Sequence, residues 1–599
     1  MKEFSTYFTE RAIVTHICKI RVKIAKTRNK KHLIHLLTDS KKYNYHIKER
    51  DPFNENDFTK YQFELNKQLS KILPPRKKWI KLGYKSRMNR NGTEKLTSND
   101  KNFYSLLKTI KLYRKKEPTA SWLIELDSFI KEIQQAIKND NFQIKPPLIF
   151  PKLKEDTISK TDINKCRPIS MFSLKERIIL SITNKYLTHL FDGYFQDSSY
   201  AFRAKRNEQG NIISHHDCIK DVIKLKEENT NEPLYVVECD MEKFYDSVNH
   251  KIVRGLFNKL IQKSKKDSPK INFKVIKNIF NEYLNCYAFN KNVPLSNDIE
   301  YWTSYNIPNG EFGWVKKRLK ELNYYSNIDQ ERIGVPQGGA LSGLIANIVL
   351  NEADKKVLKT EVFYIRFCDD MLILHKDKNK CDDAKNIYIK SLEELKLVPH
   401  KFENNLVKRL KKSSRNTTEP FWYSKSKGSY KWDSIKNGGF PWIGFVGYEL
   451  HHKGNIRVRK KSLEKELKKQ QKIVNEIENA IKLGQRKVKS YVVESAINRL
   501  IGMSVGRIGL NNFEEASSDM CWKNGFKELK LNDDSKRQIK QLDRNRSKLY
   551  YDLLKSVKSP EKDDKDSEDK KRKRQIIFYD KPFSYYYQVL ERSEQNTND

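Results

Sequence analysis

Cysteine is scarce in this chain, and the spacing of the few cysteines excludes two common roles. Eight cysteines occur among 599 residues, and no two of them form a Cys-x-x-Cys pair. That pair is the usual unit of a zinc ribbon, and closely spaced cysteines are typical of small disulfide-bonded scaffolds. We therefore expect neither a zinc ribbon nor a disulfide framework, and this usage is typical of a reducing cytosol.

Long apolar runs are also missing. The first residues, M-K-E-F-S-T, lack the apolar core of a signal peptide. No stretch of the chain approaches the roughly 18 apolar residues of a membrane-spanning helix. The sequence therefore predicts a cytoplasmic protein that has no membrane partner.

Acidic residues are strongly outnumbered by basic ones. The chain has 76 Asp and Glu against 118 Lys and Arg, a formal net charge of +42, and 11% of its residues are aromatic. Such an excess of positive charge is typical of proteins that bind polyanions, with an affinity that falls as salt is added. Aromatic side chains among the cations suit stacking on unpaired bases, so we expect a nucleic-acid partner.

Residues 363–374 read F-Y-I-R-F-C-D-D-M-L-I-L and predict a β-hairpin. Two apolar, β-prone runs flank a short polar step, which places Asp369 and Asp370 at the tip. Adjacent carboxylates in such apolar surroundings repel each other and resist desolvation unless a cation lies between them. A metal ion satisfies this requirement.

A third carboxylate follows a second predicted strand upstream. Residues 235–239 are mostly apolar and lead directly to Asp240. Together with Asp369 and Asp370 it could hold two Mg²⁺ ions, which prefer hard oxygen ligands, with Mn²⁺ as an alternative. Two such metals suit nucleotidyl transfer. An Asp-Asp step taken alone is more often a solvated turn.

A glycine-rich turn opens an apolar helical pattern between these two stretches. It reads G-V-P-Q-G-G-A-L-S over residues 334–342, and its glycines let the backbone come close to a base pair or a phosphate. In chain order, D-M-E-K-F-Y-D, V-P-Q-G-G-A-L-S and F-C-D-D resemble palm motifs A, B and C of reverse transcriptases. The bacterial group related to group II intron proteins is the most similar.

Further segments carry the same resemblance over roughly residues 140–450. Residues 150–152, 166–169 with 175–177, and 198–203 resemble the fingers motifs of that group, and residues 442–448 resemble the hydrophobic strand pair beside the primer. The resemblance implies an α+β right-hand polymerase with fingers, a palm built on an antiparallel sheet, and a helical thumb. A basic N-terminal extension and a C-terminal extension would flank this core.

The resemblance also assigns site residues, which fall into four sets. The catalytic set is Asp240, Asp369 and Asp370. The metal-binding set is Asp240, Met241, Asp369 and Asp370. The nucleotide-binding set is Lys152, Arg167, Tyr245 and Gln337, with Tyr245 as the steric gate against ribonucleotides. The template and primer set is Phe367, Gly338, Gly339 and Gly444.

Two residues depart from the family pattern, and the position of one family lysine stays open. Phe367 stands where tyrosine is commoner, and Gly343 follows Ser342 where the family more often has proline. The family also places a lysine near the leaving group. Lys401 and Lys408 are both candidates for that lysine, and the sequence does not choose between them.

The resemblance, together with composition and pattern, implies five parts of the chain. These are a basic N-terminal extension over residues 1–100, fingers over 101–230, a palm over 231–452 with an inserted segment at 251–330, a helical thumb over 453–555, and a charged linker with an aromatic tail over 556–599. The basic face of the thumb is expected to follow the nucleic-acid duplex.

The resemblance implies an RNA-directed DNA polymerase that makes DNA from dNTPs. Residues 1–599 contain neither the Cys-containing endonuclease domain common in mobile intron proteins nor the Val-Thr-Gly triplet usual in retron enzymes. With its large basic extension and unassigned tail, the chain looks most similar to the free-standing reverse transcriptases of anti-phage defence, which commonly work with a noncoding RNA. An intron maturase and a template-independent or protein-primed DNA polymerase remain alternatives, and a homo-oligomer or an accessory protein would be compatible with each.

Overall fold

The computed structural model describes residues 3–37, 57–83, 86, 96, 98–140, 142–153, 166–230, 232–290, 314–406, 408–409, 416–417, 419–482, 528–529 and 532–557. The chain divides into two compact units. The first comprises Met1–Cys18, Asp51–Lys78 and Thr109–Pro441, and the second comprises Lys19–Arg50, Trp79–Lys108 and Trp442–Asp599. The five parts predicted from the sequence remain a prediction, and the aromatic tail lies outside the described residues.

The helices, in chain order, account for most of the described residues. They are α1 (Glu10–Leu37), α2 (Asp57–Ile72), α3 (Ser98–Lys116), α4 (Ser121–Lys138), α5 (Leu174–Phe191), α6 (His215–Glu228), α7 (Phe244–Ser247), α8 (His250–Asp267), α9 (Lys274–Asn285), α10 (Trp314–Glu321), α11 (Ser342–Leu358), α12 (Lys378–Glu394), α13 (Glu419–Tyr423), α14 (Lys460–Lys482) and α15 (Asp533–Val557).

The strands of the described residues form four sheets. They are β1 (Leu148–Leu153), β2 (Cys166–Met171), β3 (Leu234–Cys239), β4 (Phe363–Phe367), β5 (Asp370–His375), β6 (Phe402–Glu403), β7 (Lys408–Arg409), β8 (Asn416–Thr417), β9 (Ser426–Trp432), β10 (Trp442–Phe445), β11 (Tyr448–His451) and β12 (Ile456–Val458). The mixture of helix and sheet confirms the predicted α+β class.

The core of the first unit is a five-stranded sheet with the order β4-β5-β3-β9-β6. Its neighbouring strands are antiparallel except for β6 and β9, which run parallel. Helix α12 packs against β3, β5 and β9, and helix α11 packs against α12 and β4. The central strands are buried because they are apolar along most of their length, as the sequence predicted for a palm.

Two further elements of the first unit lead to the site. Strands β1 and β2 form an antiparallel ribbon in the predicted fingers. Helix α5 begins with a capping box, in which the Ser173 hydroxyl accepts from the Glu176 amide while the Glu176 carboxylate accepts from the Ser173 amide. This cap fixes the point at which the chain leaves β2 and enters the helical part of the fingers.

The second unit contains the antiparallel sheet β10-β11-β12, helices α14 and α15, and parts of α1 and α3. Helices α14 and α15 pack against each other, and α15 also packs on β12. The predicted strand pair at residues 442–448 is confirmed as β10 and β11. Among the helices that the structure describes, none is long and apolar enough to cross a bilayer.

Candidate active site

The predicted hairpin is present, and its turn consists of Cys368 and Asp369. Strands β4 and β5 pair in a register that places Phe367 opposite Asp370. Cys368 adopts a left-handed backbone with φ of +61°, which closes the turn tightly. Asp370 is exposed and Asp369 is half-buried, so both carboxylates lie at the tip as expected.

Asp240 reaches the same end of the sheet because β3 is the other neighbour of β5. Cys239 lies opposite Met371, so Asp240 follows β3 at the edge where Asp370 begins β5. Burial raises the pKa of the Asp369 carboxyl above its ordinary value, and the nearby charge of Asp240 raises it further. A cation placed between these groups would relieve that repulsion.

Lys425 was not identified from the sequence. Its Nζ donates to Asp240 Oδ2 at 2.8 Å and lies 3.3 Å from His400 Nε2. Lys425 immediately precedes β9, which pairs with β3, and a long-range pairing of this kind leaves no local signal in the sequence. Lys401 is exposed, and the side chain of Lys408 lies outside the described residues. Lys425 is therefore a third candidate for the lysine that the family places near the leaving group.

The donor chemistry of the three aspartates fits a hard divalent cation, since carboxylate oxygens are the ligands that Mg²⁺ prefers. In the part of the chain that the structure describes, however, no group of three or more His, Cys, Asp or Glu side chains is arranged to hold a metal ion. The ammonium of Lys425 supplies positive charge to Asp240 in this arrangement. The metal-binding set of Asp240, Met241, Asp369 and Asp370 thus remains a prediction.

Tyr245 joins motif A to motif C. Its Oη lies 3.1 Å from Cys368 Sγ, beside the turn that carries Asp369. Its backbone carbonyl accepts from the Val335 amide at 2.7 Å, which links it to motif B as well. Tyr245 therefore links all three motifs, through its half-buried ring and its backbone, and its role as the steric gate remains a prediction.

Gln337 is held by a buried carboxylate. Its Nε2 donates to Asp246 Oδ1 at 2.7 Å, and Asp246 is 1% exposed. The backbone carbonyl of Gln337 accepts from the Ser170 amide of β2 at 2.8 Å. Motif B is thus connected to motif A by a side chain and to the fingers by the backbone.

Gly338 and Gly339 of motif B are glycines for different structural reasons. Gly338 has φ of +90°, a conformation that L side chains rarely adopt. A Cβ on Gly339 would collide with the hydroxyl of Tyr283, which lies 2.7 Å from Ser342 Oγ at the start of α11. Both glycines permit a tight turn, and their predicted approach to the template or primer remains a prediction.

Lys152 and Arg167 face each other across the β1–β2 ribbon. Arg167 is exposed, whereas the side chain of Lys152 lies outside the described residues. β2 continues from Arg167 to Ser170, whose amide donates to the Gln337 carbonyl, so the strand connects the predicted nucleotide-binding residue Arg167 to motif B. Strand β2 therefore connects three of the four predicted nucleotide-binding residues, namely Lys152 on β1, Arg167 on β2 itself and Gln337 in motif B.

The remaining template and primer residues lie in different units. Phe367 is half-buried and makes an edge contact with the ring of His215, 6.2 Å between centroids. Gly444 lies inside β10 in the second unit, where Arg459 would be the nearest group to a Cβ added at this position. Gly447, with φ of +94°, forms the turn between β10 and β11. The role of Gly444 therefore remains a prediction.

A buried ion pair lies behind the catalytic turn. The guanidinium of Arg366 contacts both carboxylate oxygens of Asp354, with Nε to Oδ1 at 2.8 Å and Nη2 to Oδ2 at 2.7 Å, and neither side chain is exposed. Arg366 Nη1 also donates to the Cys368 carbonyl at 2.8 Å, and Tyr364 donates to Asp354 at 2.7 Å. The pair therefore fixes the turn from inside the palm.

Comparison with known proteins identifies part of this region. Residues 282–408 match the family model described as reverse transcriptase (RNA-dependent DNA polymerase). The group II intron-encoded protein LtrA of Lactococcus lactis subsp. cremoris is 25% identical over 237 residues, which cover 40% of this chain and 29% of LtrA. The same protein from strain MG1363 gives the same values. The aligned segment thus spans less than a third of these relatives.

Solved telomerase structures align loosely with the chain. A telomerase from Candida albicans in complex with a TWJ fragment of telomeric RNA has 12% identity and a TM-score of 0.28, covering 78% of this chain and 74% of that one. The apo telomerase from Candida tropicalis has 12% identity and a TM-score of 0.34, with 77% and 72% covered. Alignments this loose carry no argument about function. The family match includes the motif B turn and the motif C hairpin, and over residues 282–408 the chain is therefore similar to reverse transcriptases.

Proposed function

We propose that this chain is an RNA-directed DNA polymerase, a nucleotidyltransferase that joins dNTPs into DNA along an RNA template. The observation that carries the proposal is the meeting of three motifs at one edge of the palm sheet. There Asp240 follows β3, and Asp369 and Asp370 lie at the tip of the β4–β5 hairpin. Tyr245 contacts that hairpin through Cys368 and motif B through the Val335 amide. The matched reverse transcriptase family supports the same chemistry.

The residues of the site have different roles in the proposed reaction. Asp240, Met241, Asp369 and Asp370 would hold two Mg²⁺ ions, or Mn²⁺, which when bound activate a primer hydroxyl and stabilise the leaving pyrophosphate. Arg167 presents an exposed guanidinium for the triphosphate, which such groups bind through paired hydrogen bonds. The ring of Tyr245 excludes a ribose 2′ hydroxyl by steric clash.

The test is a comparison of wild type with Asp369→Asn. We expect the variant to lose DNA synthesis on an RNA template while it binds RNA nearly as well as wild type, because one carboxylate is neutralised and the basic surface is unchanged. Asp383→Asn, an exposed carboxylate on α12 of the same unit, is the matched control and should synthesise DNA normally. Equal loss of synthesis and RNA binding in Asp369→Asn would show that Asp369 is a structural acid.

We assign the enzyme to bacterial antiviral defence, with a noncoding RNA as template. Support comes from the sequence resemblance and from the basic composition, +42 in net charge, which suits an RNA partner. Cells that express the wild type should resist phage infection more than cells that express Asp369→Asn. Equal plaque counts across a broad phage panel would remove the defence role without affecting the polymerase assignment.

A second candidate is an intron-associated role, and the 25% identity with a group II intron-encoded protein favours it. In that case the chain would bind and fold its own intron RNA. Intron RNA sequence flanking the gene and recovered with the purified protein would support this role. The defence proposal instead predicts a bound RNA without intron structure.

A further inference from the structure

Residues 198–203 run along the outer edge of the catalytic hairpin. Arg366 donates its amide to the Ser198 carbonyl at 2.8 Å, and Tyr200 donates its amide to the Arg366 carbonyl at 3.0 Å. The segment then turns at Phe202, whose φ is +56°. This left-handed conformation is unfavourable for an aromatic residue, and residues held in it concentrate at functional sites.

Buried polar groups hold the backbone on the N-terminal side of Phe202. Asn347 of α11 is fully buried, and its Nδ2 donates to the carbonyls of Ala201 at 2.8 Å and Phe202 at 3.3 Å. The Oδ1 of Asn347 accepts from Ser199 Oγ at 3.1 Å and from Arg366 Nη1 at 3.3 Å. The same network that fixes the catalytic turn therefore fixes Phe202.

The C-terminal side of Phe202 is held just as firmly. Arg203 is 6% exposed, and its Nε lies 2.8 Å from Asp192 Oδ1. Its Nη1 donates to the carbonyls of Gln196 at 2.7 Å and Ser199 at 2.8 Å. With both neighbours fixed by buried groups, Phe202 has little freedom to relax its backbone.

The ring itself is not buried. Phe202 is 51% exposed, and one part of it rests on Gly343, where a Cβ would lie 2.6 Å from Cδ1 of the ring. The family more often has proline at this position, so the glycine that departs from the pattern makes room for the ring. Gly343 is the second residue of α11 and lies four residues beyond Gly339 of motif B. The fold therefore displays an exposed apolar ring, carried on a fixed backbone, beside the motif B turn.

We propose that Phe202 is a stacking site for an unpaired base of the RNA template strand. This inference rests on the proposed polymerase function. Every base offers an apolar face to an aromatic ring, and a ring on a fixed backbone loses no backbone freedom on binding. Two exposed cations follow in the chain, Arg206 and Lys205, the second of which pairs with Asp197 at 2.7 Å. Their positive charge suits the phosphates of the same strand.

The first experiment measures stacking directly on the full chain. An RNA template with a single-stranded overhang carries 2-aminopurine at successive positions, and the wild type should quench its fluorescence at one of them. Phe202→Ala should abolish that quenching and weaken template binding by roughly 5- to 150-fold, the range for one lost base stack. Phe202→Trp should retain both, and Tyr423→Ala, which removes another exposed ring of the first unit, should change neither.

A second variant separates binding from folding. Phe202→Gly removes the ring while glycine accepts the left-handed backbone, so its Tm should equal or exceed that of the wild type while template binding still weakens. An abasic residue at the quenched position should erase the difference between wild type and Phe202→Gly. Equal binding by the two proteins, or a difference that persists on the abasic template, would overturn the proposal.

Other outcomes distinguish this proposal from the proposed function and from a protein partner. If the wild type makes no DNA but Phe202→Gly still binds RNA more weakly than the wild type, the stacking site is upheld and the proposed polymerase function is overturned. If Phe202→Gly synthesises DNA normally and binds the template as the wild type does, the polymerase function is upheld and the stacking site is overturned. A change in oligomeric mass by light scattering, with RNA binding unaltered, would assign the ring to a protein contact and overturn the stacking site.

Discussion

Replacing Asp354 with leucine should destabilise the palm strongly, because it leaves the guanidinium of Arg366 buried without a counter-charge. Both side chains are fully buried and joined by two hydrogen bonds of 2.8 and 2.7 Å. Removing one partner of such a pair costs about 3–5 kcal/mol. A typical domain has only about 5–15 kcal/mol of stability, so the loss is a large share of the total.

The assay is urea-induced unfolding of the full chain followed by circular dichroism. Lys355→Ala is the matched control, because Lys355 lies on the same helix and pairs with Glu352 at 2.7 Å on the surface. Exposed pairs of this kind contribute about 0–1 kcal/mol, so the control should unfold close to the wild type. An Asp354→Leu variant that also stays within about 1 kcal/mol of the wild type would refute the view that the pair is desolvated.

The double variant Asp354→Leu/Arg366→Met separates stability from function. Replacing both partners of a buried pair with apolar residues is often neutral or stabilising, so most of the lost stability should return. DNA synthesis should not return, because the Cys368 carbonyl has lost the donor that fixes the catalytic turn. Recovery of synthesis in the double variant would contradict a positioning role for Arg366.

Three further predictions address the site and its surroundings. Tyr245→Ala should incorporate ribonucleotides that the wild type and Tyr245→Phe exclude, measured by primer extension with each nucleotide set; unchanged discrimination would remove Tyr245 as the gate. Burial lowers the pKa of His250 from 6.5 to about 4. Between these pH values the unfolded chain binds more protons than the folded chain. The free energy of unfolding of the wild type should therefore fall by up to about 3 kcal/mol as pH falls from 6.5 to 4. His250→Gln should lack this acid-dependent loss in urea titrations at each pH, and an identical pH profile would argue against His250. Lys425→Ala should lower the Mg²⁺ concentration needed for half-maximal synthesis, because its ammonium competes for Asp240, whereas a higher requirement would show that Lys425 assists metal binding.

Local patterns in the sequence predicted the elements of the site well. Alternation and turn chemistry around Asp369 predicted the hairpin, since a hairpin is specified by residues close together in the chain. The glycines at 338 and 339 predicted the motif B turn for the same reason. The strand that leads to Asp240 was also predicted, whereas its pairing with β5 is a long-range contact that was known only from the structure.

Long-range contacts could not be predicted from the same patterns. Lys425 reaches Asp240 across 185 residues because β9 pairs with β3, and nothing near either residue signals this. Arg366 reads as an ordinary strand residue until Asp354 of α11 is placed against it. The departure from the family pattern at Gly343 likewise had no explanation until the ring of Phe202 was located on it.

The central claim is that Asp240, Asp369 and Asp370 catalyse templated DNA synthesis on a bound RNA. The most direct measurement is to purify the wild type and Asp369→Asn from cells and to sequence the RNA and DNA bound to each. We predict a discrete RNA in both samples and DNA complementary to it in the wild type alone. DNA without any matching RNA, or the same complementary DNA in both samples, would contradict the claim.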